Sequence, residues 1–208
     1  MDSLQTIVYS TFMEIIIASG NRHKLFELKD ILKEHTLLLP EDIGIDFDFE
    51  ENGSTFLENS QGKAFALFNK INRPVLADDS GLSVNALKGE PGIYSARYGS
   101  VNGVELEAPV RNLYLLDKLK GENDLSAEFI CCMTLVMDTN RFFVVQESFK
   151  GKITRESSGI NGFGYDPIFF LPEYGKTVAE LPEKQKNLIS HRGKAGYRIA
   201  SLLKELDK

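Results

Sequence analysis

The chain alternates short apolar runs with longer amphipathic ones. Ile15, Ile16, Ile17 and Ala18 form a continuous apolar run, the pattern of a strand buried on both faces, and it stops at Ser19-Gly20-Asn21. Leu25, Leu28, Ile31 and Leu32 then recur at helical spacing and predict a helix behind that turn. Ile45, Phe47 and Phe49 alternate with acidic residues and predict a half-exposed strand. Thr55 and Glu58 have capping-box spacing and open a second helix, with Leu57, Ala64, Leu67, Phe68 and Ile71 on its buried side. Val75-Leu76-Ala77 predicts a short strand that runs into Asp78-Asp79-Ser80-Gly81. Pro91 to Gly99 reads as a loop, and Pro109 starts a helix whose apolar face is Leu113, Leu116 and Leu119. Residues 127–138 and 141–153 are β-rich, and Thr139-Asn140 between them predicts a hairpin. A glycine-rich loop spans 159–164, Pro182 opens a short helix, and Ala195, Ile199, Leu202 and Leu203 mark a C-terminal one.

This alternation predicts an α/β or mixed α/β fold. The long hairpin in its middle implies two lobes around a central cleft. No sharp linker or internal repeat divides the chain, so residues 13–208 read as a single two-lobed domain. Residues 1–12 read as an N-terminal extension, with Met13 as an alternative start.

Composition narrows the function classes. Of 208 residues, 42% are hydrophobic and 26% charged, ordinary for a globular protein and far from a disordered one. The 24 Lys and Arg against 30 Asp and Glu leave a net charge of −6. That disfavours nucleic-acid binding, which is driven by counterion release from phosphates, but leaves room for a small anion in a local basic pocket. Cys131 and Cys132 are adjacent, so no disulfide framework exists, which fits a reducing cytosol. They lie far from the three His of the chain and read as buried strand residues rather than a zinc pair. No apolar run approaches the ~18 residues that cross a bilayer, and residues 4–12 lack the basic start of a signal peptide. A cytoplasmic protein with no membrane contact is expected.

Four segments could carry chemistry. In Ser19-Gly20-Asn21-Arg22-His23-Lys24, a strand ends and a helix begins, and helix N-termini hold phosphates. The plain alternative is a strand–helix turn with Asn21 as its N-cap. In Asp78-Asp79-Ser80-Gly81, two adjacent carboxylates repel each other, and a divalent cation would relieve both, with further acid at Glu50 and Glu51. The alternative is a pair of solvated turn aspartates. In Gly162-Phe163-Gly164-Tyr165-Asp166-Pro167, the Phe ring can stack on something flat, or the segment is a structural turn. Lys186 and Ser190-His191-Arg192 can donate to carbonyl oxygens and ring nitrogens, or they are surface basics behind a helix cap. Together, phosphate donors, a metal site, a stacking aromatic and edge-reading donors describe a site for a nucleoside triphosphate.

These residues resemble the inosine triphosphate pyrophosphatases, also described as dITP/XTP pyrophosphatases. The resemblance covers residues 14–206 and rests on ordered motifs: Ser19-Gly20-Asn21 with Lys24; Glu50-Glu51 leading to Thr55-Phe56 and Asn59; Lys63-Ala64; Ala77 to Leu82; Pro91 to Tyr98; Phe163 to Phe169; and Ser190-His191-Arg192-Gly193. Ser60 stands where Ala is usual, and residues 1–12 have no counterpart. The resemblance implies a mixed twisted sheet in two lobes, a homodimer, and Mg2+-dependent hydrolysis of XTP, ITP and dITP to the monophosphate and diphosphate. It implies a triphosphate-binding loop from Ser19 through Gly20, Asn21, Arg22 and His23 to Lys24, with Lys63 on the phosphates. Glu50 or Glu51 with Asp78 and Asp79 would be the magnesium carboxylates, and Asp79 the general base. Phe163, Gly164, Tyr165, Asp166, Lys186, His191 and Arg192 would form the nucleoside pocket, with Ser80 beside the substrate.

The chemistry is consistent with this. A carboxylate within hydrogen-bond reach of water supplies a base, and cations at the leaving diphosphate stabilise developing charge. At purine position 6, ITP and XTP offer an acceptor and ATP a donor. A buried donor there can discriminate by up to roughly 10⁴-fold. Two other readings are a pyrophosphatase for modified pyrimidine or other nucleotides, and a module that binds nucleotides without hydrolysis. Retention of Asp78, Asp79, Lys63 and Glu51 together argues against the second.

Overall fold

The computed structural model describes residues 12–206, so the extension expected over residues 1–12 lies, except for Phe12, outside the described residues. The elements are β1 (Glu14–Ile17), α1 (Arg22–Ile31), β2 (Thr36–Leu38), α2 (Phe56–Ile71), β3 (Val75–Val84), α3 (Ala108–Lys118), β4 (Ser126–Asp138), β5 (Arg141–Ile153), β6 (Phe169–Leu171), β7 (Lys176–Thr177), α4 (Glu183–Ile189) and α5 (His191–Leu206). Seven strands form one sheet in the order β2-β1-β3-β4-β5-β6-β7. β1 runs parallel to β2 and β3, and every other pairing is antiparallel, so the sheet is mixed as expected.

The long strands β3, β4 and β5 pass through two regions of packing. At one end, α1 and α5 cover one face through Leu25, Leu28, Ile31, Ala195, Ile199 and Leu203. There α2 covers the other face through Ala64, Leu67 and Phe68. At the far end, Leu82, Val84, Phe129 and Phe149 pack with Leu115 and Leu119 from α3 and its C-cap and with residues of the 165–181 segment. These are the two lobes, and the strands run continuously between them.

Several elements form as the pattern dictates. Asn21 caps α1, its Oδ1 accepting from the His23 N–H at 3.0 Å. Thr55 Oγ1 accepts from the Glu58 N–H at 3.1 Å, while the Glu58 carboxylate reaches one residue further back, to the Ser54 N–H at 2.7 Å. The β4–β5 hairpin turns at Thr139-Asn140, and Cys131 and Cys132 are free and buried within β4.

Four expectations change. Ile45, Phe47 and Phe49 are alternately half-buried, but among the described residues no strand pairs with them; Ile45 and Phe47 pack against the α2 core. Leu57, in the first turn of α2, is 39% exposed. Of the expected apolar face after Pro109, Leu119 is buried and Leu116 packs against the core, but Leu113 is 66% exposed, and Asn112 and Leu115 take the inward positions of α3. Residues 92–97 form a 3-10 helix, not an irregular loop.

Candidate active site

The expected short strand at Val75 continues to Val84, so Asp78 and Asp79 sit in the middle of β3 and not in a turn at its end. They are 0% and 5% exposed, which removes the solvated-turn reading. Successive residues of a strand point to opposite faces. Asp78 therefore projects toward α1 and α5, and Asp79 toward α2.

Asp78 is held by two cations. Lys24 Nζ donates to Oδ1 at 3.0 Å and Arg192 Nε to Oδ2 at 2.6 Å. Burial by itself would raise its pKa, but the charges of Arg192 and Lys24 outweigh it and hold the carboxyl well below its usual range. Asp79 has the opposite environment. Burial and then the charge of Glu51 push its pKa up to about 6, against the pull of Lys63 and Lys24 and a hydrogen bond from Asn59 Nδ2 at 3.1 Å. Glu51 is in turn bonded to Lys63 of α2 and lies 4.0 Å from Arg97. Glu50 is exposed. Among the described residues no three acidic, His or Cys side chains converge as a metal site. Of the expected Glu50, Glu51, Asp78 and Asp79, the cleft is lined by Glu51 and Asp79, while Asp78 is engaged by Lys24 and Arg192 and Glu50 is exposed.

The opposite end of the site is an ionic network. Lys186 Nζ lies 2.7 Å from Asp166 Oδ2 and 2.7 Å from Glu27 Oε1. Arg192 Nη1 reaches Glu27 Oε2 at 2.8 Å, and its Nη2 donates to Ser80 Oγ at 2.7 Å. With Lys24 and Asp78, three cations face three carboxylates, so burying these charges is compensated pair by pair. Burial acts to raise Glu27, but Arg192 and Lys186 lower it further; for Asp166 burial prevails over Lys186 and its pKa is raised.

The Phe163 loop is built on this network. Asp166 Oδ2 accepts from the Phe163 N–H at 2.8 Å. Gly162 has φ +72°, and a Cβ there would sit 2.1 Å from the same carboxylate oxygen. Asn112 of α3 donates to the Gly164 carbonyl at 3.0 Å, and Tyr165 is buried with its hydroxyl donating to the Ser95 carbonyl at 2.9 Å. Phe163 is half-buried, with Lys186 Nζ 4.7 Å and Arg192 Cζ 5.5 Å from its ring centroid. His191 stacks on Phe129 with centroids 4.8 Å apart. Burial and the charge of Arg192 hold its pKa well below the usual value, so it is neutral. Gly193 lets α4 meet α5: a Cβ there would lie 1.7 Å from the Asn187 carbonyl oxygen.

An open cleft joins the two ends and is lined by Asn21, Lys24, Glu51, Asp79, Ser80, Phe163, Gly164, Tyr165, Asp166, Lys186, His191 and Arg192. Ser19, Gly20, Arg22, His23 and Lys63 are not on its wall. Ser19 Oγ accepts from the Asn21 N–H at 3.0 Å, Arg22 pairs with Glu41 in solvent, and Lys63 stands behind Glu51.

A model of the Ham1 family matches residues 15–202. The chain belongs to the Ham1 family. A relative of Treponema denticola named dITP/XTP pyrophosphatase is 53% identical over 192 residues, covering 92% of this chain and 99% of the relative. Another, of Clostridium tetani and with the same name, is 42% identical over 91% of this chain and 96% of its own. Among solved structures, the Ham1 protein of Staphylococcus aureus superposes with a TM-score of 0.83 at 40% identity, over 93% of this chain and 99% of that one. A HAM1 protein from Coxiella burnetii gives 0.84 at 38%, over 93% and 100%.

Within this Ham1 chain, Glu27, which none of the sequence motifs contains, holds Lys186 and Arg192 together. A signal was present: Glu27 lies four residues before Ile31 and three after Lys24, so a carboxylate falls on the buried stripe of α1. Arg111, on the cleft wall with its Cζ 5.6 Å from the Tyr165 centroid, carried no comparable signal.

Proposed function

We propose that this chain hydrolyses the non-standard purine nucleoside triphosphates XTP, ITP and dITP to the monophosphate and diphosphate, removing them before they enter DNA or RNA. The observation that carries the reading is one cleft with two chemically different ends. Asp79, Glu51 and Lys24 stand at one, and Phe163, Lys186 and Arg192 at the other. A triphosphate suits the first and a purine the second. The names of the Treponema and Clostridium relatives support the same assignment.

Asp79 is the general base in this reading. One of its oxygens is oriented by Asn59, and its carboxylate takes the proton of the attacking water as the α–β phosphoanhydride breaks and diphosphate leaves. Lys24, on the cleft wall, stabilises charge gathering on the leaving diphosphate, and Lys63 acts from behind through its pair with Glu51. The donor set fits Mg2+: two hard carboxylates, close enough that Glu51 raises the pKa of Asp79. Glu51 and Asp79 would hold the ion, which when bound neutralises phosphate oxygens. Asp78 is committed to Lys24 and Arg192 and takes no part.

Selectivity follows from spare donors. Lys186 has three N–H groups, and Asp166 and Glu27 take two; Arg192 has five, and Asp78, Glu27 and Ser80 take three. The remainder are donors only. They suit the 6-oxo acceptor of ITP or XTP and leave the 6-amino group of ATP facing another donor.

The protein works as a cytoplasmic homodimer in this reading. Its free, buried cysteines suit a reducing compartment, no helix among the described residues is long and apolar enough to cross a membrane, and Val101, Val104, Val110 and Leu113 are exposed apolar side chains that a second copy could cover. Its negative charge argues against a nucleic-acid partner. The decisive experiment incubates purified protein with ITP and Mg2+. IMP plus diphosphate is expected; IDP plus phosphate, or no product, would refute the assignment.

A further inference from the structure

Phe163 separates two spaces. On one side it lines the cleft with Asp79, Ser80 and Arg192, and on the other it lines an outer groove with Phe26, Glu27 and Pro182. His23, in the first turn of α1, lines the outer groove and not the cleft. Its imidazole lies parallel to the Phe163 ring, with centroids 5.3 Å apart and planes at 17°. His23 is exposed and Phe163 half-buried, so the imidazole covers the side of the ring turned away from the cleft. This contact ties α1 to the glycine-flanked 159–164 loop. The other groups at the ring are Lys186 Nζ and Arg192 Cζ, 4.7 and 5.5 Å from its centroid, and the Phe163 N–H is bonded to Asp166.

We propose that His23 is a positioning residue for the purine end of the cleft, backing Phe163 from outside, and that it does not contact the triphosphate as its neighbours in the sequence imply. The inference rests on the pyrophosphatase reading above. A phenyl ring between two glycines has rotamer freedom that a stacking base must remove. A ring already stacked on its outer face has lost that freedom before the ligand arrives, so binding is tighter. The interaction is of the size of an offset aromatic pair, which corresponds to about a 2- to 10-fold change in affinity.

The test compares parent, His23→Ala and His23→Phe in three measurements: KM and kcat for ITP, calorimetric binding of inosine, and inhibition by inorganic triphosphate. His23→Ala is expected to raise KM and weaken inosine binding by the same factor, about 2- to 10-fold, with kcat moving less and triphosphate inhibition unmoved. His23→Phe, which keeps an aromatic face without the imidazole nitrogens, is expected to return inosine binding to the parent value. Unchanged inosine binding in His23→Ala would overturn the proposal. So would a matching loss of triphosphate inhibition, which makes His23 a phosphate contact, or tighter inosine binding, which makes it a competitor for the ring. Inosine binding reads the contact even if the parent fails to hydrolyse ITP, so the two inferences fail separately.

Discussion

Arg192 donates from Nε to Asp78 Oδ2 at 2.6 Å, joining the first turn of α5 to the middle of β3 across 114 positions of sequence. The same guanidinium reaches Glu27 of α1, so one side chain clamps three elements beneath the cleft. Arg192 is therefore part of the frame of the site as well as its wall. Arg192→Ala is expected to destabilise the protein by about 3–5 kcal/mol, since it leaves Asp78 and Glu27 buried with one cation fewer each. Urea unfolding measures this. A midpoint equal to the parent's would mean that solvent readily reaches the carboxylates. Arg192→Lys is expected to recover little, because a single ammonium cannot span the forked geometry.

Asp79→Asn is expected to fold normally and lose about 10²- to 10⁴-fold in kcat, because the amide keeps the shape and cannot take a proton. Diphosphate release gives the rate, and circular dichroism checks the fold. Turnover within a few-fold of the parent would remove Asp79 from the role of base.

The two lysines of the phosphate end are expected to separate. Lys24 is bonded to the buried Asp78, whereas Lys63 is bonded to the half-buried Glu51. Both Lys24→Ala and Lys63→Ala are expected to raise KM for ITP more than they weaken inhibition by inosine. Only Lys24→Ala is expected to lower the thermal midpoint clearly, because it removes a partner from a fully buried charge. Equal loss of inosine and ITP affinity in either variant would show that the lysine does not act on phosphate.

Glu27 supplies a pH signature. Its pKa is lowered on folding: Arg192 and Lys186 outweigh the effect of burial. A carboxylate lowered in this way stabilises the fold fully above its unfolded value, here 4.5, and the contribution is lost as pH falls through the lower folded value. The stability gap between parent and Glu27→Gln is thus expected to be widest at neutral pH and to close on acidification below about 4.5. Urea midpoints from pH 7 down to about 2.5 measure it. A gap that stays constant would mean that Glu27 is held by packing and not by its charge.

Local order is legible in the chain itself. The apolar run from Ile15 to Ala18, the Asn21 cap, the Thr55 cap and the β4–β5 hairpin depend on neighbours within a few residues, and each forms as its residue pattern requires. The ordered motifs likewise marked both ends of the cleft. Tertiary structure decided which of those residues face one another. Asp78 and Asp79 are indistinguishable as a dipeptide, yet extending β3 through them sends their carboxylates to opposite faces, one into an ion pair and one toward Glu51. Ile45, Phe47 and Phe49 carry a strand's alternation, yet among the described residues they pair with no strand, and Ile45 and Phe47 pack against the α2 core instead. Glu27 acquires its role from Lys186 and Arg192, more than 150 residues away, and His23 stacks on Phe163, 140 residues on. Periodicity encodes which side of an element is buried; the identity of the group waiting there depends on long-range packing, which no local pattern contains.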